Sequence, residues 1–140
     1  MKVLVAVDGS AYTKHMLAYW AAHDEWLGPQ HDYTILTAVM AVPPRAAAAL
    51  DRDLLKSYYA DEAERVFKSI RSFLTKHAID ATYLVKTGPA AEAICKQAQV
   101  GRFDLILMGS HGRGAMTKLV LGSVASKVLA HSKTPVLIVR

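Results

Sequence analysis

Asp104-Leu105-Ile106-Leu107-Met108-Gly109-Ser110-His111-Gly112-Arg113-Gly114, with Gly122-Ser123 following after nine intervening residues from Gly112, decides how this chain is read. A short continuous apolar run that gives way to small residues reads as a strand covered on both faces and ending in a loop. Val124, Val128 and Leu129 leave that loop at helical spacing, with Ser123 in position to cap the helix. Glycine at such a junction admits positive φ and lets a ligand approach the backbone. The first N–H groups of the helix add partial positive charge. The segment is a candidate anion cradle, with phosphate as the expected guest.

Working outward, Val3–Val7, Ile35–Val39, Leu105–Met108 and Val136–Val139 are continuous apolar runs rich in branched residues, and Thr82–Val85 is a weaker one. All read as strands. Ser10 is placed to cap a helix carrying Tyr12, Met16, Tyr19, His23 and Leu27, stopped by Gly28-Pro29. Leu54, Tyr58, Val66, Ile70, Phe73 and His77 mark a longer helix, and a third starts at Pro89 with Ile94 and Ala98 on its apolar face. The fourth begins at Ser123. Five strands alternating with four helices predict an α/β fold, a doubly wound parallel sheet. In such sheets ligands lie outside the carboxyl ends of the strands, where the winding reverses. Asp8-Gly9-Ser10 and Gly109–Gly114 would face one crevice if the first and fourth strands are neighbours. Ala41–Ala49, with Pro43-Pro44 excluding regular structure at its start, is either a flap over that crevice or an exposed loop entering a helical turn.

The 140 residues, 52% of them apolar, suffice for one sizeable core and one domain, 1–140. The run Val3–Val7 is shorter than the roughly 7–15 apolar residues of a signal peptide, and no run approaches the roughly 20 that span a bilayer. A cytoplasmic protein is expected. Cys95, the sole cysteine, cannot form an internal disulfide. The net charge of +5 raises nucleic-acid binding, but the basic residues of the long helix alternate with Asp51, Asp53, Asp61, Glu62 and Glu64. Base-stacking aromatic motifs are also missing, so neither nucleic acid nor membrane is expected as a partner.

The glycine segment fails three better-known patterns. A Walker loop needs Lys and Ser or Thr after its second glycine, whereas Ala115 and Met116 follow Gly114. A dinucleotide fingerprint needs a glycine at Thr117 and an early position in the fold. A nucleophile elbow around Ser110 lacks its first glycine, because Met108 stands there.

What remains is G-x2-G-x9-G-[S/T], carried by Gly109, Gly112, Gly122 and Ser123, and it resembles the universal stress protein family, in its ATP-binding branch. The resemblance covers the whole chain. Val5-Ala6-Val7-Asp8-Gly9-Ser10 is similar to the opening strand and loop of that family. Gly88-Pro89-Ala90-Ala91-Glu92-Ala93-Ile94 is similar to its third helix start, and Thr134-Pro135-Val136-Leu137-Ile138-Val139 to its closing strand. The resemblance implies strand order 3-2-1-4-5, an adenine nucleotide α-hydrolase-like architecture, bound ATP (or AMP or ADP) and a homodimer paired through the last strand, Val136–Val139. Arg140 directly follows that strand, which at a sheet edge would offer unpaired backbone groups to a partner.

Carried over residue by residue, the resemblance assigns phosphate contacts to Gly109, Gly112, Gly122, Ser123 and the amides of Val124 and Ala125. A tight turn and a helix cap account for the same residues structurally. Asp8 would repel phosphate, so its carboxylate is assigned to the ribose hydroxyls or base; otherwise it is a capping acid. Val39 matches a position whose backbone recognises adenine. Ala6 and Met108 could wall the adenine slot or simply pack the core, and Ser110 and His111 lie within the loop that would meet the nucleotide. Arg113 and Lys118 could neutralise outer phosphates. Ala125 replaces a Thr frequent in the family, which costs one hydrogen bond of about 0.5–1.5 kcal/mol. The scattered histidines and Cys95 form no metal-ligand pattern, so Mg²⁺ would arrive with the phosphates.

No residue has an evident claim to activate water, and no catalytic residue is assigned. The expectation is a nucleotide-dependent stress or signalling module with at most slow hydrolysis. The alternatives are an ATPase or nucleotidyl-transfer enzyme on the same fold, and a nucleotide-free dimeric interaction module.

Overall fold

Val3 and Val5 point to one face of the central sheet and Leu4 to the other, and all three are completely buried. That is why the strand runs are continuously apolar rather than alternating: helices cover both faces. A computed structural model describes residues 1–114 and 120–140. The strands are β1 (Lys2–Ala6), β2 (Asp32–Val39), β3 (Ala81–Thr87), β4 (Leu105–Gly109) and β5 (Val136–Val139). The helices are α1 (Ala11–Ala22), α2 (Asp24–Leu27), α3 (Pro44–Ala48), α4 (Arg52–Lys76), α5 (Ala90–Val100) and α6 (Ser123–His131).

The sheet is wholly parallel in the order β3-β2-β1-β4-β5, the order the family resemblance implied. Val5 is flanked by Ile35 on β2 and Leu107 on β4, so the winding reverses between β1 and β4. On one face Val3 and Val5 pack with Met16 and Trp20 of α1 and Phe67 and Ile70 of α4. On the other, Leu4, Ile106 and Met108 pack with Ile94 and Ala98 of α5 and Val128 of α6.

The described residues hold six helices where four were expected. The apolar spacing from Tyr12 to Leu27 runs through a break: His23 leaves helical geometry at φ −130°, ψ 43°, and Asp24–Leu27 forms a separate turn. The Trp20 indole N–H, donating to Leu27 O at 2.7 Å, folds that turn back onto α1. Pro43-Pro44 does not exclude regular structure either. Pro43 is the N-cap and Pro44 the first residue of α3, where the missing N–H has no intrahelical role.

α4 is 25 residues long, about 37 Å at 1.5 Å per residue. Its buried residues begin only at Ala63, so its first turns extend past the sheet beside the carboxyl ends of the strands.

Candidate functional site

The end of β1 turns into α1 through Gly9, whose φ of +76° suits a residue without Cβ. This turn holds Asp8 in a closed set of bonds. Asp8 Oδ1 accepts the Ser10 N–H at 2.9 Å and the Thr13 hydroxyl at 3.0 Å, while the Asp8 N–H donates to Thr13 Oγ1 at 3.2 Å. Asp8 Oδ2 reaches across to accept the Arg113 N–H at 3.2 Å. Thr13, only 5% exposed, escaped the sequence reading. A hydroxyl in the first turn of α1, five residues after an acid, was the available signal.

Caps form differently from expectation. Ser10 occupies the N-cap of α1, but its hydroxyl makes no cap bond; the oxygen is buried with no partner among the described residues. Asp8 Oδ1 accepts the Ser10 N–H two residues on, an Asx turn that leads into α1 without capping it. At α6 the N-cap is Gly122, and Ser123 is the exposed first helical residue, not the cap. The first-turn N–H groups of Ser123, Val124 and Ala125 have no intrahelical acceptor.

The loop after β4 is pinned at both ends. Ser110 N–H donates to Val139 O at 2.8 Å, and Gly122 N–H donates to Ser110 O at 2.8 Å. Ser110 is completely buried, its Oγ 2.8 Å from His111 Nδ1, and the His111 ring lies 4.7 Å from that of Tyr12. A Cβ at Gly109 would come within 2.9 Å of Tyr12 Cβ and 3.1 Å of its carbonyl oxygen, so glycine here lets α1 pass over the end of β4. A Cβ at Gly112 would meet Asp8 Oδ2 at 2.9 Å. Lys118 lies outside the described residues.

Between these loops, at the carboxyl ends of β1 and β4, opens a crevice with a cavity volume of about 100 Å³. Leu36, Ile94 and Met108 give it apolar walls, and Asp8, Thr13 and His111 give it a polar side. Gly109, Gly112, Val124 and Ala125 line it too, bringing the glycine loop and the start of α6 together. Its volume is below the ~300–1,000 Å³ of pockets that enclose a whole ligand, so it admits a flat fragment with the remainder over the loop. Val39 lies in the adjoining cleft of about 280 Å³ with Met40, Tyr58 and Arg113, which shares Asp8 and Ala38 with the crevice. Ser110, Gly122 and Ser123 support the loop or flank it without lining the crevice.

A wholly parallel doubly wound sheet, with an apolar slot, one carboxylate and an uncapped helix start at its switch point, places the chain in the class of doubly wound α/β proteins. Within that class, the chain belongs to the universal stress protein family, whose family model matches residues 1–140. A universal stress protein of Thermus aquaticus, from the 3′ region of a QAH/OAS sulfhydrylase, is 33% identical over 138 residues, 99% of this chain and 97% of its own length. The solved structure of hypothetical protein MJ0577, a name borne by a universal stress protein of Methanocaldococcus jannaschii, matches with a TM-score of 0.81 at 25% identity. That match covers 99% of this chain and 94% of the other. A universal stress protein in complex with cAMP matches with a TM-score of 0.70 at 21% identity, covering 100% of this chain and 97% of its own. One from Archaeoglobus fulgidus in complex with dAMP gives 0.69 at 18% identity, covering 100% and 98%. These last two establish likeness of fold.

Proposed function

We propose that this chain is a cytoplasmic nucleotide-binding stress or signalling module that takes ATP in the crevice between β1 and β4. The observation that carries the reading is the Asp8–loop contact: Arg113 N–H on Asp8 Oδ2, beside an apolar slot and the uncapped start of α6. Each part of a nucleotide finds matching chemistry. The slot walled by Leu36, Ile94 and Met108 suits adenine, with the Val39 backbone in the adjoining cleft. Asp8 is an acceptor for ribose or base. Gly109, Gly112 and Gly122 with the amides of Ser123, Val124 and Ala125 suit phosphate, because helix N-termini offer N–H donors and partial positive charge. Ser110 and His111 shape the loop from within. Binding of cAMP and dAMP by structures of the same fold supports an adenine nucleotide as the guest.

Mg²⁺ would enter with the phosphates, whose oxygens are ligands of the kind it prefers. Asp8, the acid nearest the loop, already accepts hydrogen bonds on both oxygens, which suits binding more than activation of water. No described helix is long and apolar enough to cross a membrane. The open edge at β5 supports homodimer pairing through Val136–Val139. Gentle purification, denaturation and mass spectrometry of the released small molecules tests the reading. An adenine nucleotide in about equimolar amount is expected, and calorimetry that detects no binding of ATP, ADP, AMP or cAMP to the folded protein would refute it.

A further inference from the structure

On the outer face of α5 and α6, away from the crevice, lies a trough with a cavity volume of about 600 Å³. Glu92, Cys95, Lys96 and Gln99 form its α5 wall at helical spacing, and Lys127 and His131 its α6 wall, with Lys133 at the end. Glu92 and Lys96 also border an adjoining depression, with Lys86 and Val100. Four lysines and one glutamate thus line the two adjoining depressions. The ion pairs of the described residues, Arg65–Glu62 and Arg71–Glu64, are both on α4, so these ammonium groups have no carboxylate partner among the described residues. Elsewhere, on α4, charges of both signs interleave; here one sign is concentrated.

We propose that this trough is a docking site for an extended acidic segment of a partner protein. Two adjoining depressions with Glu92 and Lys96 as their common wall suit a chain laid over both more than a compact metabolite. Its chemistry favours carboxylates over the other polyanions. Single-stranded nucleic acid needs aromatic platforms as well as positive charge, and no Phe, Tyr or Trp lines either depression. Phosphorylated motifs are read by arginine clusters, and the lining cations are lysines and a histidine. The apolar floor at Ala91 and the stem of Cys95 leaves room for an occasional aliphatic side chain of the same segment.

The test is fluorescence anisotropy of a labelled Glu/Asp-rich peptide of about 12 residues, long enough at ~3.3 Å per residue to follow both depressions. Binding that weakens about tenfold in K96E/K127E, but not in the equally charged K56E/K68E on α4, is expected, with affinity falling as salt is raised. The sole cysteine gives a second readout: saturating peptide should slow alkylation of half-buried Cys95. Equal loss in both double variants, an unprotected Cys95, or tighter binding of an oligothymidine of matched charge would overturn the assignment. So would loss of self-association in K96E/K127E with peptide binding intact, which would give the trough to a second copy. None of these outcomes depends on nucleotide in the crevice.

Discussion

Asp8 and Arg113 lie 105 positions apart in sequence, and the N–H of Arg113 donates to Asp8 Oδ2 at 3.2 Å, joining the loop after β1 to the loop after β4. The other carboxylate oxygen is held by Ser10 and Thr13, so Asp8 points into the crevice in one orientation. Asp8→Ala should weaken ATP binding by roughly 1.5–3 kcal/mol, about 10- to 100-fold, because a charged acceptor is lost together with the anchor of the glycine loop. Titration calorimetry on the folded variant measures it. Unchanged affinity would remove Asp8 from the site.

The two glycines that approach α1 and Asp8 should separate stability from binding. Gly109→Ala drives a Cβ against the Tyr12 backbone, which cannot rotate away, and should cost about 1–3 kcal/mol in urea denaturation. Gly112→Ala meets only the end of the Asp8 side chain. Its stability cost should stay below ~1 kcal/mol while nucleotide affinity falls, since Asp8 must turn to make room. A Gly112→Ala variant with unaltered affinity would show that the Asp8 orientation does not matter to the ligand.

Ser10 offers a case where structure reverses the usual expectation for a capping residue. Removing an N-cap hydroxyl ordinarily costs about 0.5–2 kcal/mol. Here the oxygen is buried without a partner among the described residues, so Ser10→Ala should change stability by less than ~0.5 kcal/mol. Thr13→Val, by contrast, removes both a donor to and an acceptor from Asp8 and should be costlier by thermal denaturation. A larger loss in Ser10→Ala than in Thr13→Val would contradict this division of roles.

The same site shows what was legible before the structure. Strands were plain because burial on both faces leaves only apolar, branched residues at Val3–Val7 and Leu105–Met108. Strand order was not, since pairing partners leave no mark on one sequence; the family motif supplied it. The spacing Gly109, Gly112, Gly122 located the loop, yet not that Ser110 would turn inward toward His111. Ser10 does occupy the N-cap of α1, while at α6 Gly122 rather than Ser123 holds that position. Ser at a helix start is a statistical signal, and here neither helix start has a side-chain cap bond; Asp8 takes the Ser10 N–H ahead of α1 instead. Thr13 was missed because its role exists only through Asp8.

Tyr33 gives the fold an alkaline limit. Its hydroxyl donates to Leu27 O at 2.7 Å and Gly28 O at 3.0 Å, and burial pushes its pKa up to about 12, against a smaller lowering from the Trp20 contact. The folded state therefore holds this proton more tightly than the unfolded chain, whose value is 10.0. The stabilisation is complete below the unfolded value and is lost as pH rises from about 10 through about 12. Tyr33→Phe should cost about 1–2 kcal/mol at neutral pH, and the difference from the parent should shrink across that alkaline window. Denaturation series at several pH values read both, and a constant difference would show that the Tyr33 proton is not linked to folding.

The edge strand provides a test of assembly that leaves the crevice alone. Ile106 N–H donates to Pro135 O and Ser110 N–H donates to Val139 O, so residues 135, 137 and 139 turn their backbone groups toward β4. By alternation, the N–H groups of Val136 and Ile138 face away from β4 at the open edge of the sheet. Proline is tolerated in an edge strand where its missing N–H faces outward, so Ile138→Pro should spare the β4 ladder while removing a donor that a partner strand needs. Ile138 is also half-buried against the α5–α6 side, so a stability loss of about 1–2 kcal/mol is expected from the packing change. Sedimentation velocity at tens of micromolar should then show a dimer for the parent and for Ile138→Val, which keeps the donor, but a folded monomer for Ile138→Pro. A parent that sediments as a monomer, or an Ile138→Pro variant that remains dimeric, would rule out pairing through this edge.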